Sequence, residues 1–171
     1  MKYTIQYLYL LIVLLVLQFG LLGNLSLGVW LLPMPYIAFI ALLPLDISRT
    51  WLLFIGLALG VVVDIFSGTS SLNTISTLLI AFARPYLLDA LKLKDGVDMG
   101  GVPSKLRMGG ESLNIYLVVL ILLHSLCYFC FESLSLLNIE LTALRIGVSS
   151  LVSLLLIWPM VDLFNIYLKR S

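Results

Sequence analysis

Charge is scarce in this sequence. Aspartate, glutamate, lysine and arginine make up 11% of 171 residues, less than half of the roughly 25% usual in a soluble domain. With 61% hydrophobic residues and a mean hydropathy of +1.13, the composition excludes a soluble globule and implies a polytopic membrane protein. Histidine occurs once, at His124, whereas a metal site needs three or four converging ligands. Cysteine occurs twice. Cys127 and Cys130 are three apart on one apolar helix, a spacing that does not easily bridge, and they read as packing residues. A phosphate loop is missing too: Ser104-Lys105 lies between Gly100-Gly101 and Gly109-Gly110, but the order of glycines followed by Lys-Ser/Thr is absent and no strand precedes it. Ser149, Ser150 and Ser153 have no base near them in sequence and read as small packing residues. The expectation is a protein that is not an enzyme, with no cofactor, no metal and no nucleic-acid partner.

A helix needs roughly 20 residues to cross about 30 Å of hydrocarbon. The apolar runs predict one all-α transmembrane domain, a polytopic integral membrane bundle of six helices at about 5–22, 29–45, 50–66, 72–88, 113–131 and 141–168, with a flexible loop over 89–112. The first span follows Lys2, lacks a clear cleavage site and is expected to be retained. Pro33, Pro35 and Pro44 predict that the second span is short or irregular at its outer end. Pro85 predicts a kink in the fourth, Gly68 a turn after the third, and Trp158-Pro159 a bend in the overlong sixth.

The ionisable groups inside these runs are the candidate functional residues, because such groups are costly in lipid and mark polar paths or coupling elements. Gly56, Gly60 and Asp64 stack at steps of four, forming a bare groove that ends in a carboxylate and needs a close helical partner. Asn73, Thr77, Ala81 and Arg84 form a second small and polar face. Counting depth along the helices predicts two pairs, Asp64 with Arg145 near the outer ends and Arg84 with Asp162 in the inner third. His124 is expected to be buried and hydrogen-bonded, with a protonation role as the sharper alternative.

The run from Gly60 and Asp64 through Phe66-Ser67-Gly68-Thr69, then Leu79 to Leu88 with Arg84-Pro85-Tyr86, then Lys94-Asp95-Gly96, Pro103-Ser104, Met108-Gly109, a mid-span histidine and Phe131-Glu132, resembles the rod shape-determining MreD family in its Bacteroidetes form. The resemblance covers nearly the whole chain and is strongest over 60–88. Ser125 stands where that family often has a second histidine, and Ser71 where a second turn glycine is usual. The resemblance implies a non-catalytic subunit of the bacterial inner membrane in the cell-elongation machinery that organises peptidoglycan synthesis. Such a subunit binds the single-span protein MreC and, through it, MreB, RodA and a penicillin-binding transpeptidase. It also implies a fold similar to the substrate-binding subunits of energy-coupling-factor transporters, which supplies the competing function, binding of a small vitamin-type solute. The glycine face would then pack inside the bundle or against the span of MreC.

Orientation follows from basic residues, which cytoplasmic loops retain. Six spans with both termini cytoplasmic place Lys2, Arg49, Lys92, Lys94, Lys105, Arg107, Lys169 and Arg170 on one side. Single cysteines introduced at Leu25, Thr69 and Leu136, with Cys127 and Cys130 replaced, should label from outside intact cells; a cysteine at Asp95 should not.

Overall fold

Proline and glycine punctuate the apolar runs, and helices form between them. A computed structural model describes residues 4–22, 31–91, 101–133 and 139–170, which contain no strand. The elements are α1 (Thr4–Val16), continued by a π-helical turn at Leu17–Leu22, α2 (Ile37–Leu42), α3 (Arg49–Ser67), α4 (Leu72–Ala90), α5 (Lys105–Met108), α6 (Gly110–Ser133) and α7 (Ile139–Arg170). Among the described residues three helices are, by length and composition, able to cross a membrane: Arg49–Ser67, Gly110–Ser133 and Ile139–Leu168. The protein is an all-α membrane protein.

The second apolar run departs furthest from a spanning helix. Helix is confined to the six residues Ile37–Leu42. Pro33 and Pro35 remove two backbone donors and bias the residues before them to extended backbone, while Pro44 does the same to Leu43, whose φ of −55° and ψ of 152° end the helix. Residues 33–43 are all buried. Irregular backbone at membrane depth survives only when other protein surrounds it, and here α1, α3, α4, α6 and α7 supply that enclosure.

Beside it, α3 and α4 form the tightest pair. Ser48 caps α3 by accepting from the Trp51 N–H at 3.4 Å. Gly68 ends it in the left-handed region at φ +65°, donating its N–H to the Asp64 carbonyl. Ser71 also takes a left-handed conformation, φ +65°, to start α4. This hairpin brings the glycine face against α4: a Cβ on Gly56 would lie 2.8 Å from Ala81 Cβ, and one on Gly60 would lie 2.5 Å from Thr74 Cα. The face is filled from within the bundle and offers no groove to a separate partner.

Neither Pro85 nor Pro159 interrupts its helix: α4 runs unbroken to Ala90 and α7 to Arg170. The 89–112 loop is more structured than its composition predicts. Its residues 101–109 pack onto the bundle through buried Val102 and Met108. The Leu45 N–H donates to the Gly101 carbonyl at 2.9 Å, and Asn165 Nδ2 to the Pro103 carbonyl at 3.1 Å. Residues 92–100, the turn at Gly23, Asn24 and Ser26, and residues 134–138 lie outside the described residues, and with them positions 25, 95 and 136 of the topology test.

Gly60→Ala should destabilise the protein by about 1–3 kcal/mol, the usual cost of overpacking, because the atom it meets is backbone and cannot rotate away. Gly60→Leu should prevent folding. Gly147 is the control, since a Cβ there would have nothing within 4 Å: Gly147→Ala should be neutral or stabilising. Reversible unfolding in mixed detergent micelles measures all three.

Candidate functional site

Several buried polar side chains converge on the broken second segment. Its backbone donors and acceptors have no continuous helix to satisfy them, so side chains from the surrounding helices do so. Ser149 and Ser153 of α7 accept from the N–H groups of Leu32 and Met34 at 3.1 and 2.9 Å. The spacing matches: four residues of helix rise about 6 Å, and two residues of stretched chain advance slightly farther, about 6.5 Å. Gln18, in the π-helical turn, donates to the Pro33 carbonyl at 3.4 Å, and Tyr7 of α1 donates to that of Leu42 at 2.9 Å.

Arg84 closes the other end of the segment. It is fully buried, and among the described residues no carboxylate pairs with it. Its Nη2 donates to the carbonyls of Leu43 and Pro44, its Nη1 to Pro44, and its Nε to the Tyr116 hydroxyl at 2.8 Å. Tyr116 in turn donates to the Ala41 carbonyl at 2.8 Å. The guanidinium thus sits at the C-terminal end of α2, where carbonyls left without helical partners present partial negative charge. The expected pair with Asp162 does not form. Neutral carbonyls and one tyrosine hydroxyl supply the acceptors of Arg84, and Asp162 has a nearer cation, Lys105 Nζ at 2.7 Å.

Asp64 is held by neutral groups as well. Oδ1 accepts from Thr69 Oγ1 at 2.6 Å and from the backbone N–H and Nδ2 of Asn73 at 3.0 Å each. Oδ2 accepts from the Thr74 N–H at 2.8 Å and Thr74 Oγ1 at 2.5 Å. Asn73 and Thr74 are the second and third residues of α4, the positions an N-cap side chain serves, and Ser71 makes no side-chain cap of its own. A carboxylate from α3 therefore caps α4. The expected pair with Arg145 does not form either. Arg145 makes a two-pronged ion pair with Glu132 across the short α6–α7 connection, 2.8 and 3.1 Å, and lies over the Phe129 ring.

From Asp64 a string of hydrogen bonds runs inward with a fixed direction. The carboxylate accepts only, so the Asn73 amide must turn its nitrogen toward Asp64 and its oxygen toward Tyr36. The Tyr36 hydroxyl then spends its single proton on Asn73 Oδ1 at 2.8 Å. His124 Nε2, 2.8 Å from the same hydroxyl, must donate to it. The histidine is thereby assigned the Nε2–H tautomer, leaving Nδ1 as a buried acceptor without a partner among the described residues. His124 is wholly buried, edge-on to the Tyr36 ring.

Asp64 and His124 thus share one hydrogen-bonded string through Asn73 and Tyr36, while Arg84 and Tyr116 form a second buried cluster at the other end of α2. Arg145 and Asp162 lie apart in ion pairs of their own. Sequence reasoning misses the two tyrosines and reads Ser149 and Ser153 as packing residues alone. The available signal is that those serines stand one helical turn apart in a chain whose proline-rich run has backbone groups in need of partners. Searches against protein-family models, curated proteins and solved structures each return no match for this chain.

Tyr36→Phe should destabilise the protein by about 1–3 kcal/mol for each group it leaves unpaired, Asn73 Oδ1 and His124 Nε2. In double-mutant cycles Arg145→Ala with Glu132→Ala should couple, whereas Asp64→Ala with Arg145→Ala should be additive within about 0.5 kcal/mol. Coupling in the second cycle would restore the pairing that depth alone predicted.

Proposed function

We propose that the chain is a non-catalytic inner-membrane subunit of the bacterial cell-elongation machinery, of MreD type. It is a six-span bundle with both termini cytoplasmic and a fold similar to energy-coupling-factor substrate-binding subunits. In this reading it binds MreC directly, and through it works with MreB, RodA and a penicillin-binding transpeptidase. Six crossings follow if α1 with its π-helical turn, the broken second segment, α3, α4, α6 and α7 each traverse the bilayer.

The observation that carries the reading is the role of Asp64 and Arg84, the two charges within the stretch where the resemblance is strongest. Both bind fixed, neutral groups on other elements: the carboxylate joins α3 to α4, and the guanidinium joins α4 to the end of α2. A group held by several such bonds to fixed partners acts as a joint, the requirement of a scaffold that must hold a partner at constant geometry. The same residues in a transport path would need to release their partners to a solute.

The transporter reading has one feature on its side, an open cavity of about 350 Å³ beside Asp64, lined by the hydroxyl residues Thr69, Ser70, Ser71 and Thr74. Depletion separates the two. For a scaffold subunit, depletion should round the cells, MreC should co-purify with the tagged protein, and no added nutrient should restore the rod. Restoration of shape by any single solute would overturn the scaffold reading.

A further inference from the structure

Residues 31–36, the part of the broken segment that precedes α2, have no helix of their own, and polar side chains gather around them. Four atoms of those side chains have no hydrogen-bond partner among the described residues: Gln18 Oε1, His124 Nδ1, Ser125 Oγ and Ser150 Oγ. Each belongs to a residue that is more than nine-tenths buried. Bonds made by these residues or their neighbours place them about one stretch of backbone. Gln18 reaches the Pro33 carbonyl through Nε2, and His124 meets the Tyr36 hydroxyl through its own Nε2. Ser150 lies between Ser149 and Ser153, whose hydroxyls take the Leu32 and Met34 amides. At about 100° per residue the three serines fall within roughly 100° around α7, so Ser150 shares their side of the helix. Ser125 follows His124 on α6 and is wholly buried.

The chemistry of an occupant follows from what these atoms are. Gln18 Oε1 can only accept a hydrogen bond. His124 Nδ1 is an acceptor as well, because the string from Asp64 leaves the ring proton on Nε2. Two acceptors cannot satisfy each other, and the hydroxyls of Ser125 and Ser150, which could donate, meet neither of them. An occupant must therefore be small, supply donors to the amide oxygen and the ring nitrogen, and accept from a hydroxyl. An anion has no proton for the two acceptors, and a cation finds no carboxylate among the four residues. Water, with two protons and two lone pairs, meets every requirement, and buried water characteristically bonds to polar groups that the protein itself leaves unsatisfied.

We propose that ordered water is built into the bundle around residues 31–36, with one molecule donating to His124 Nδ1. The water continues the string that begins at Asp64: each donor in that string points toward the carboxylate, and the water points its proton the same way, into the ring.

The sequence contains one histidine, so ring-¹⁵N histidine labels one site. In solid-state NMR spectra of the full chain in lipid bilayers, the ring should show the Nε2–H tautomer. Its Nδ1 resonance should lie upfield of that of a bare, unprotonated ring nitrogen, as a hydrogen bond requires, and magnetisation that starts on water protons should reach it. The wild type carries the whole test, so no substitution that impairs folding enters it. A ring protonated at Nδ1, an Nδ1 resonance at the bare position, or a shifted Nδ1 that receives no magnetisation from water would each overturn the proposal.

Discussion

The structure depends on satisfying the backbone of a segment that cannot be a full helix. Three prolines leave residues 31–45 with only six helical residues, yet residues 33–43 are buried among apolar helices. In that setting an unpaired N–H or carbonyl costs several kcal/mol. Tyr7, Gln18, Arg84, Tyr116, Ser149 and Ser153 reach in from the surrounding helices to meet those groups. The broken segment is the hub, and six polar side chains of the surrounding helices point at it.

That arrangement changes what the buried charges mean. Arg84 and Asp64 stabilise helix ends, one just past the carbonyl end of α2 and the other the amide end of α4, where Asp64 stands in for the side-chain cap that Ser71 does not make. A dipole end is a weaker counter-charge than an ion, but several fixed donors or acceptors around one group compensate. Pairing these two charges with ions would have left the helix ends bare.

The apolar runs announce an all-α membrane protein, and the steps of four from Gly56 to Asp64 announce a close helix contact; what they leave open is the partner, which is α4. The proline triplet likewise marks the second run as irregular. Charge pairing is illegible because depth along a helix constrains only one coordinate, and each predicted partner has a closer one, Glu132 for Arg145 and Lys105 for Asp162. The role of Ser149 and Ser153 is hidden because a serine in an apolar helix looks the same whether or not a foreign backbone lies beside it. The folded 101–109 stretch is obscured by its glycines and charges, which composition assigns to loops.

The hub also governs the order in which the molecule can be completed during synthesis. Its acceptors for the Leu32 and Met34 amides are carried by α7, made more than a hundred residues later. Until α7 is made, the Leu32 and Met34 amides lack these serine partners, and an unpaired backbone donor is unfavourable in hydrocarbon. The two amides near the start of the segment therefore find their acceptors only once Ser149 and Ser153 are in place.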